Sequence, residues 1–335
     1  MKTSYQYEQE MIRATTPCLS YRGGDVAAWQ KTAREKLSSL LHIERMRPAP
    51  ADLDIEFTKK QEGFTEIRFT FQSEPGYRVP CHLLLPDGIK NPPLMICLQG
   101  HSTGMHISLG RPKFERDVPT IQNGDRDFCV RALKEGWAAI ALEMRSFGEC
   151  GGDPETGAPG CWDPTMTALL LGRTAIGERV WDISRLIDVL EKDFADKVDL
   201  SCIGVMGNSG GGTCTSYVMA LEPRVALAMP SCAMSNYNMS IGVIHHCQCN
   251  FVPEIALYFD MSDLIAMAAP KYYVQVSGES DKIFPIEGAK DVFEKGKKAY
   301  EALGCPDRCA FVHGALGHRF YADDAWPVVH RLTKR

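Results

Sequence analysis

No stretch of this chain is long and apolar enough to cross a membrane. Its apolar runs, such as residues 137–142, stop far short of the ~20 residues that a spanning helix needs. Dense positive charge is also missing. Lys and Arg number 37 against 42 Asp and Glu, for a formal net charge of -5. Without a basic patch or a polybasic run, neither nucleic acid nor a membrane surface is expected as a partner. The first ten residues are polar, include Glu8 and Glu10, and lack the basic, apolar, small-residue order of a signal peptide. A cytoplasmic location is the expectation. The chain has no internal repeat and no low-complexity segment.

What is present is ample core material. The 335 residues are 44% hydrophobic, enough for one large α/β domain with insertions. Cysteine is unusually frequent, at 13. Cys81, Cys97, Cys202 and Cys232 lie in apolar, strand-like surroundings, where a reduced thiol packs as a small hydrophobe. With no secretion signal, a disulfide framework is not expected, and Cys150 and Cys161 are read as reduced.

Residues 1–24 show no clear period and read as an irregular arm. Asp25 can cap a helix over 26–43, where Ala28, Trp29, Ala33, Leu37, Leu40 and Leu41 recur at helical spacing. Pro48 and Pro50 end that element. Residues 1–60 are therefore read as an N-terminal extension laid on a main domain, 61–335. Alternation over 64–71 and a second run over 77–85 predict an antiparallel pair at a sheet edge. Apolar runs at 93–98, 136–144, 202–206, 225–230, 272–277 and 310–313 read as buried strands. Helical segments at 126–134, 178–193, 213–221, 286–303 and 325–332 separate several of them. This alternation predicts a mostly parallel, doubly wound sheet of about eight strands. Residues 145–172 read as a long loop. Residues 233–268, rich in Met, His, Cys and aromatics, read as a lid-like insertion.

One stretch organises the chemistry. The strand at 202–206 runs into Gly207-Asn208-Ser209-Gly210-Gly211, and a helical segment follows. Strand, sharp turn and helix make a G-x-S-x-G into a nucleophile elbow, with the serine hydroxyl raised above the sheet. A serine needs a base, and the base needs an orienting acid. In such sheets both follow later strands, in the order Ser, acid, His. The acid candidate is Asp281, favoured over Glu279 because its loop position lets it turn back towards a histidine. The base candidate is His318, favoured over His313, which still lies at a strand end. The oxyanion requires two N–H donors. Gly210 is one candidate, and His101, in Gln99-Gly100-His101 after the strand at 93–98, is the other.

These pieces resemble the α/β-hydrolases, and within them the acetyl xylan esterase-related and dienelactone hydrolase-related branch. The matching segments are Gln99-Gly100-His101, Met144-Arg145-Ser146-Phe147-Gly148-Glu149, Trp181-Asp182, the elbow, residues 278–285 and Gly317-His318-Arg319-Phe320. The resemblance implies an eight-stranded, mostly parallel sheet and a Ser209–Asp281–His318 triad. Two features depart from the pattern. The oxyanion loop is Gln-Gly-His instead of the commoner His-Gly-x. A serine also stands where dienelactone hydrolases carry cysteine.

The expectation is a serine carboxyl-ester hydrolase that removes small acyl groups such as acetyl from a carbohydrate or similar alcohol. A peptidase or amidase of the same fold, or a non-catalytic binding member, are the alternatives. Gln99, Trp162, His246 and Phe251 are the candidate substrate contacts. The run His245-His246-Cys247-Gln248-Cys249 has metal-binding residue types. Its one-residue spacing and the lack of a second cluster argue against a metal, so neither metal nor cofactor is expected. The partner is a small-molecule ester, and a homo-oligomer is compatible with the sequence. Arg145 is expected to form a structural ion pair.

Overall fold

The computed structural model describes residues 1–334. Its strands are β1 (Asp54–Gln61), β2 (Phe64–Glu74), β3 (Tyr77–Pro86), β4 (Pro93–Leu98), β5 (Ala138–Leu142), β6 (Asp199–Asn208), β7 (Val225–Ser231), β8 (Tyr272–Gly278) and β9 (Cys309–Gly314). The helices are α1 (Ser4–Ala14), α2 (Val26–Leu41), α3 (Asp117–Gln122), α4 (Phe128–Lys134), α5 (Trp162–Leu170), α6 (Ala175–Asp193), α7 (Gly210–Leu221), α8 (Ile255–Tyr258), α9 (Met261–Ala268), α10 (Ile286–Ala302) and α11 (Ala322–Thr333).

All nine strands form one sheet, in the order β1-β2-β3-β5-β4-β6-β7-β8-β9. β1, β2 and β3 pair antiparallel, and β3 is antiparallel to β5. Every pairing from β5 through β4 to β9 is parallel. Along β4, Leu94, Ile96 and Leu98 enter one core while Met95 and Cys97 enter the other. This is the two-residue period of a strand covered on both faces. The first core holds side chains of α2, α6, α7, α9 and α10, and the second holds those of α4 and α11. Chain order reverses about β4, since β5 lies on one side of it and β6 on the other. Ligands gather at such a reversal, beyond the carboxyl ends of the strands.

Three segments differ from the sequence reading. The arm at 1–24 carries α1, closed by a capping box between Thr3 and Gln6. None of its residues is buried and Ile12 is its contact with the core, so its apolar face is too slight to read. The sheet begins inside the segment taken as an extension: β1 spans residue 60, and its residues are exposed or half-buried. An edge strand open to water lacks the alternation that betrays a strand. The insertion at 233–268 ends in α9, which is buried along its whole length and is the crossover helix between β7 and β8. A helix buried on every side has no polar face and hence no period. The long loop at 145–172 likewise contains α5.

Arg145 forms the expected ion pair, within a network. Its guanidinium meets Asp182 at 2.8 Å, Glu74 at 2.9 Å and Glu178 at 3.4 Å, and lies over the Tyr77 ring. Asp182 also accepts a hydrogen bond from Ser73. This ties the antiparallel edge to α6. Asp182 is 1% exposed, so removing the arginine strands a buried carboxylate. Arg145→Ala should lower unfolding free energy by about 3–5 kcal/mol, measured by urea denaturation. A loss below ~1 kcal/mol would mean that the network contributes no more than a surface pair.

Candidate active site

β6 ends at Asn208, and the chain turns at Ser209 with φ 57° and ψ −126°. For a non-glycine residue this is strained backbone, a state held only where surrounding structure over-determines it. The turn is tight because glycine clears its path. A Cβ at Gly211 would stand 2.2 Å from the Leu98 carbonyl oxygen, and one at Gly100 would stand 2.5 Å from the Asn208 oxygen. The loop after β4 and the elbow after β6 therefore interlock backbone to backbone. Gly210 opens α7, where first-turn amides have no intrahelical acceptor. The His101 amide also donates to no acceptor among the described residues. The Ser209 amide is held by the Ser231 carbonyl at 2.9 Å, but its hydroxyl has no hydrogen-bond partner among the described residues.

The structure brings Asp281 and His318 together. Asp281 Oδ2 lies 2.8 Å from His318 Nδ1, while Oδ1 accepts the amides of Ile283 and Phe284. The Asp281 side chain is fully buried, whereas that of His318 is 24% exposed. Burial acts to raise the Asp281 pKa, but the hydrogen bond to His318, its charge and the two amides outweigh it and hold the carboxyl below its ordinary range. The His318 ring stacks on Phe284 at 6.2 Å. The rivals meet elsewhere: Glu279 and His313 touch each other through half-exposed side chains.

The four residues singled out as substrate contacts fare differently. Gln99 is 2% exposed and fully engaged. Its amide nitrogen donates to Ser108 Oγ and the Arg126 carbonyl, and its oxygen accepts from Arg126. It braces the loop and has nothing left for a substrate, which corrects the reading made from its place in the motif. His246 lies edge-on to Phe284 at 5.0 Å, one ring removed from His318. Burial first, then the neighbouring His318 and His101, lower its pKa to about 4. Trp162 begins α5 and is 64% exposed. Phe251 is exposed as well.

Sequence reasoning missed what surrounds His101. Its Nε2 lies 3.2 Å from Cys249 Sγ, its ring packs edge-on against Phe147, and the Gly210 turn crowds its Nδ1 side. Burial opposes protonation of this imidazole, yet hydrogen bonds to Cys247 and Cys249 outweigh it and push the pKa up to about 9. Cys161 joins the same cluster. Hydrogen bonds from Cys161 and Cys247, with Arg179 adding to them, hold the Cys249 thiol well below its ordinary value. None of the cysteines forms a disulfide among the described residues, and Cys161 sits with Cys247 and Cys249 instead of Cys150. Residues 60 to 150 positions apart give no sequence signal of such a meeting. His101 and Cys161 therefore supply the second set of metal-binding side chains that the run at 245–249 lacks on its own.

Known proteins place the architecture. A protein of Bacteroides fragilis NCTC 9343 assigned as an acetyl xylan esterase superposes with a TM-score of 0.76 at 18% identity, over 93% of this chain and 82% of that one. The chain has the α/β-hydrolase fold. A glucuronoyl esterase from Solibacter usitatus superposes on this chain with a TM-score of 0.69 at 17% identity, over 96% and 97% of the two chains. The family model described as glucuronyl esterase, fungi, matches residues 96–239, from β4 through the elbow. Bacillus subtilis (strain 168) YtaP, named as a hydrolase, is 22% identical over 72% of this chain and 78% of its own. The 4-O-methyl-glucuronoyl methylesterase 1 of Wolfiporia cocos (strain MD-104) is 29% identical over 170 residues, 43% of this chain and 41% of that protein. The chain thus spans less than half of that esterase.

Proposed function

We propose that the protein is a serine carboxyl-ester hydrolase acting on carbohydrate esters, with Ser209 as nucleophile, His318 as base and Asp281 as the acid that orients it. The observation that carries this reading is the 2.8 Å Asp281–His318 pair at the same end of the sheet as the strained, unpartnered serine. Ser209 Oγ attacks the ester carbonyl carbon as His318 Nε2 takes its proton, through a hydrogen bond that forms when substrate is bound. The carbonyl oxygen becomes an oxyanion, and the Gly210 and His101 amides stabilise it with fixed dipoles. The intermediate collapses, His318 returns the proton to the departing alcohol, and the acyl group remains on Ser209. Water, deprotonated by His318, attacks the acyl-enzyme, and the carboxylic acid leaves as Ser209 is restored. Asp281 holds the imidazole in the tautomer that each step requires.

The acyl group is acetyl on the sequence resemblance. The match to glucuronoyl esterases supports a second reading, in which the acid belongs to the sugar and a uronic acid ester is cleaved. An acetylated sugar and a methyl glucuronate assayed side by side separate the two by kcat/KM. An anilide in the same assay should turn over far more slowly than either. A fluorophosphonate should label one residue per chain, Ser209, by peptide mass spectrometry. Labelling elsewhere, or none with esterase activity intact, would end this assignment.

A further inference from the structure

From the side chains of His101, Cys161, Cys247 and Cys249 we infer a structural zinc site beside the nucleophile turn. Each supplies one ligand atom, and all four atoms lie within 4.8 Å of one another. A tetrahedral Cys3His zinc site has bonds of about 2.0–2.3 Å, which separate its ligand atoms by about 3.4–3.8 Å. The cluster reaches that arrangement if its sulfurs and nitrogen draw in by about 1 Å or less. His101 Nε2 and Cys249 Sγ stand 3.2 Å apart, and this pair would part by a few tenths of an ångström.

Arg179 gives an independent indication of what the cluster holds. It is 1% exposed, yet it meets no carboxylate within ion-pair distance among the described residues. Its guanidinium lies 3.3 Å from Cys249 Sγ and 4.0 Å from Cys161 Sγ, takes the Arg145 carbonyl and covers the Phe147 ring. Its Nε is buried without a partner. A buried cation needs an anion beside it. Three thiolates around a divalent cation leave one net negative charge, which Arg179 balances from outside the ligand shell. Ordinary apolar packing of reduced cysteines accounts for neither the imidazole nor the arginine.

Four protein ligands leave no open position, so the zinc would hold structure and would not activate water. Its ligands come from three places: the loop after β4, the residue that precedes α5, and the insertion after β7. The metal would fasten the 145–172 segment and the 233–268 insertion to the loop after β4. It would fix the His101 backbone while Nδ1, carrying the ring proton, faces the elbow. The site stands whether or not Ser209 is a nucleophile.

The test uses the full chain without a histidine tag, expressed with added zinc and dialysed. Elemental analysis should give one zinc per chain. That content should fall more than tenfold in Cys249→Ser and in Cys161→Ser and stay unchanged in Cys18→Ser, whose cysteine is exposed. Arg179→Gln should weaken zinc binding by about 10–100-fold. Cobalt(II) added to metal-free wild-type chain should give thiolate charge-transfer bands and the intense visible bands of a tetrahedral ion, a readout that needs no variant to fold. Less than a tenth of an equivalent of zinc together with no cobalt bands overturns the proposal. So does a thiol titration that finds the cluster oxidised to a disulfide in freshly purified protein.

Discussion

Replacing Ser209 by alanine should cut p-nitrophenyl acetate turnover by about 10⁴–10⁶-fold, leaving only what the oxyanion donors and binding supply. The substitution suits the site because it deletes one atom and little else. Alanine keeps the Cβ, so the strain of φ 57° is unchanged. The hydroxyl it removes has no hydrogen-bond partner among the described residues, so no buried acceptor or donor is orphaned. The elbow amide still meets the Ser231 carbonyl, and the Thr213 amide still meets the residue 209 carbonyl. Thermal stability should therefore stay within ~0.5 kcal/mol of the parent, and circular dichroism should be superimposable. Activity within tenfold of wild type, in a variant that folds this well, would show that another group attacks the ester. Ser209→Gly is a useful companion. It should be equally inactive yet relieve backbone strain on the order of 1 kcal/mol, separating the cost of the turn from the chemistry it carries.

The elbow was legible because its signals are local. A buried parallel strand reads as an apolar run, and the turn beyond it demands glycine at fixed offsets. The candidate acid and base follow from the order in which strands deliver them, and only a position in the loop separates Asp281 from Glu279 in the sequence. In the fold the two differ physically: one carboxylate is buried under His318 and two amides, and the other meets His313 at the surface. Readings failed where a residue's environment comes from elsewhere in the chain. Gln99 looked available because it stands beside the oxyanion loop, but Arg126 and Ser108 consume its amide. The Cys247-Gln248-Cys249 run looked incomplete because its partners, His101 and Cys161, arrive from loops that no periodicity links. α9 and β1 escaped for opposite reasons, one buried on all sides and the other open to water, so neither has the two-faced pattern on which sequence reading depends.

Asp281→Asn should lower kcat by about 10⁴-fold with little change in KM. The asparagine preserves shape but not acceptance. Both carboxylate oxygens are engaged, Oδ1 by two backbone amides and Oδ2 by His318 Nδ1. An asparagine that keeps its oxygen on the amides presents an NH2 to His318, which must then offer Nδ1 as acceptor and carry its proton on Nε2. That tautomer cannot take the proton from Ser209. Flipping the side chain restores the histidine but sets the NH2 against two N–H donors at a site with no exposed side-chain surface. Stability reports the same contact. Because the fold holds the Asp281 carboxyl below its ordinary range, the carboxylate contributes stability above its unfolded pKa, and that contribution is lost as pH falls through its folded value. The gap in melting temperature between wild type and Asp281→Asn should therefore narrow as pH is lowered from 7 towards 3. Glu279→Gln, which touches only the surface pair, should retain kcat within about twofold. If instead Glu279→Gln is the inactive variant and Asp281→Asn turns over near the wild-type rate, the orienting acid is Glu279 and His313 becomes the base to test.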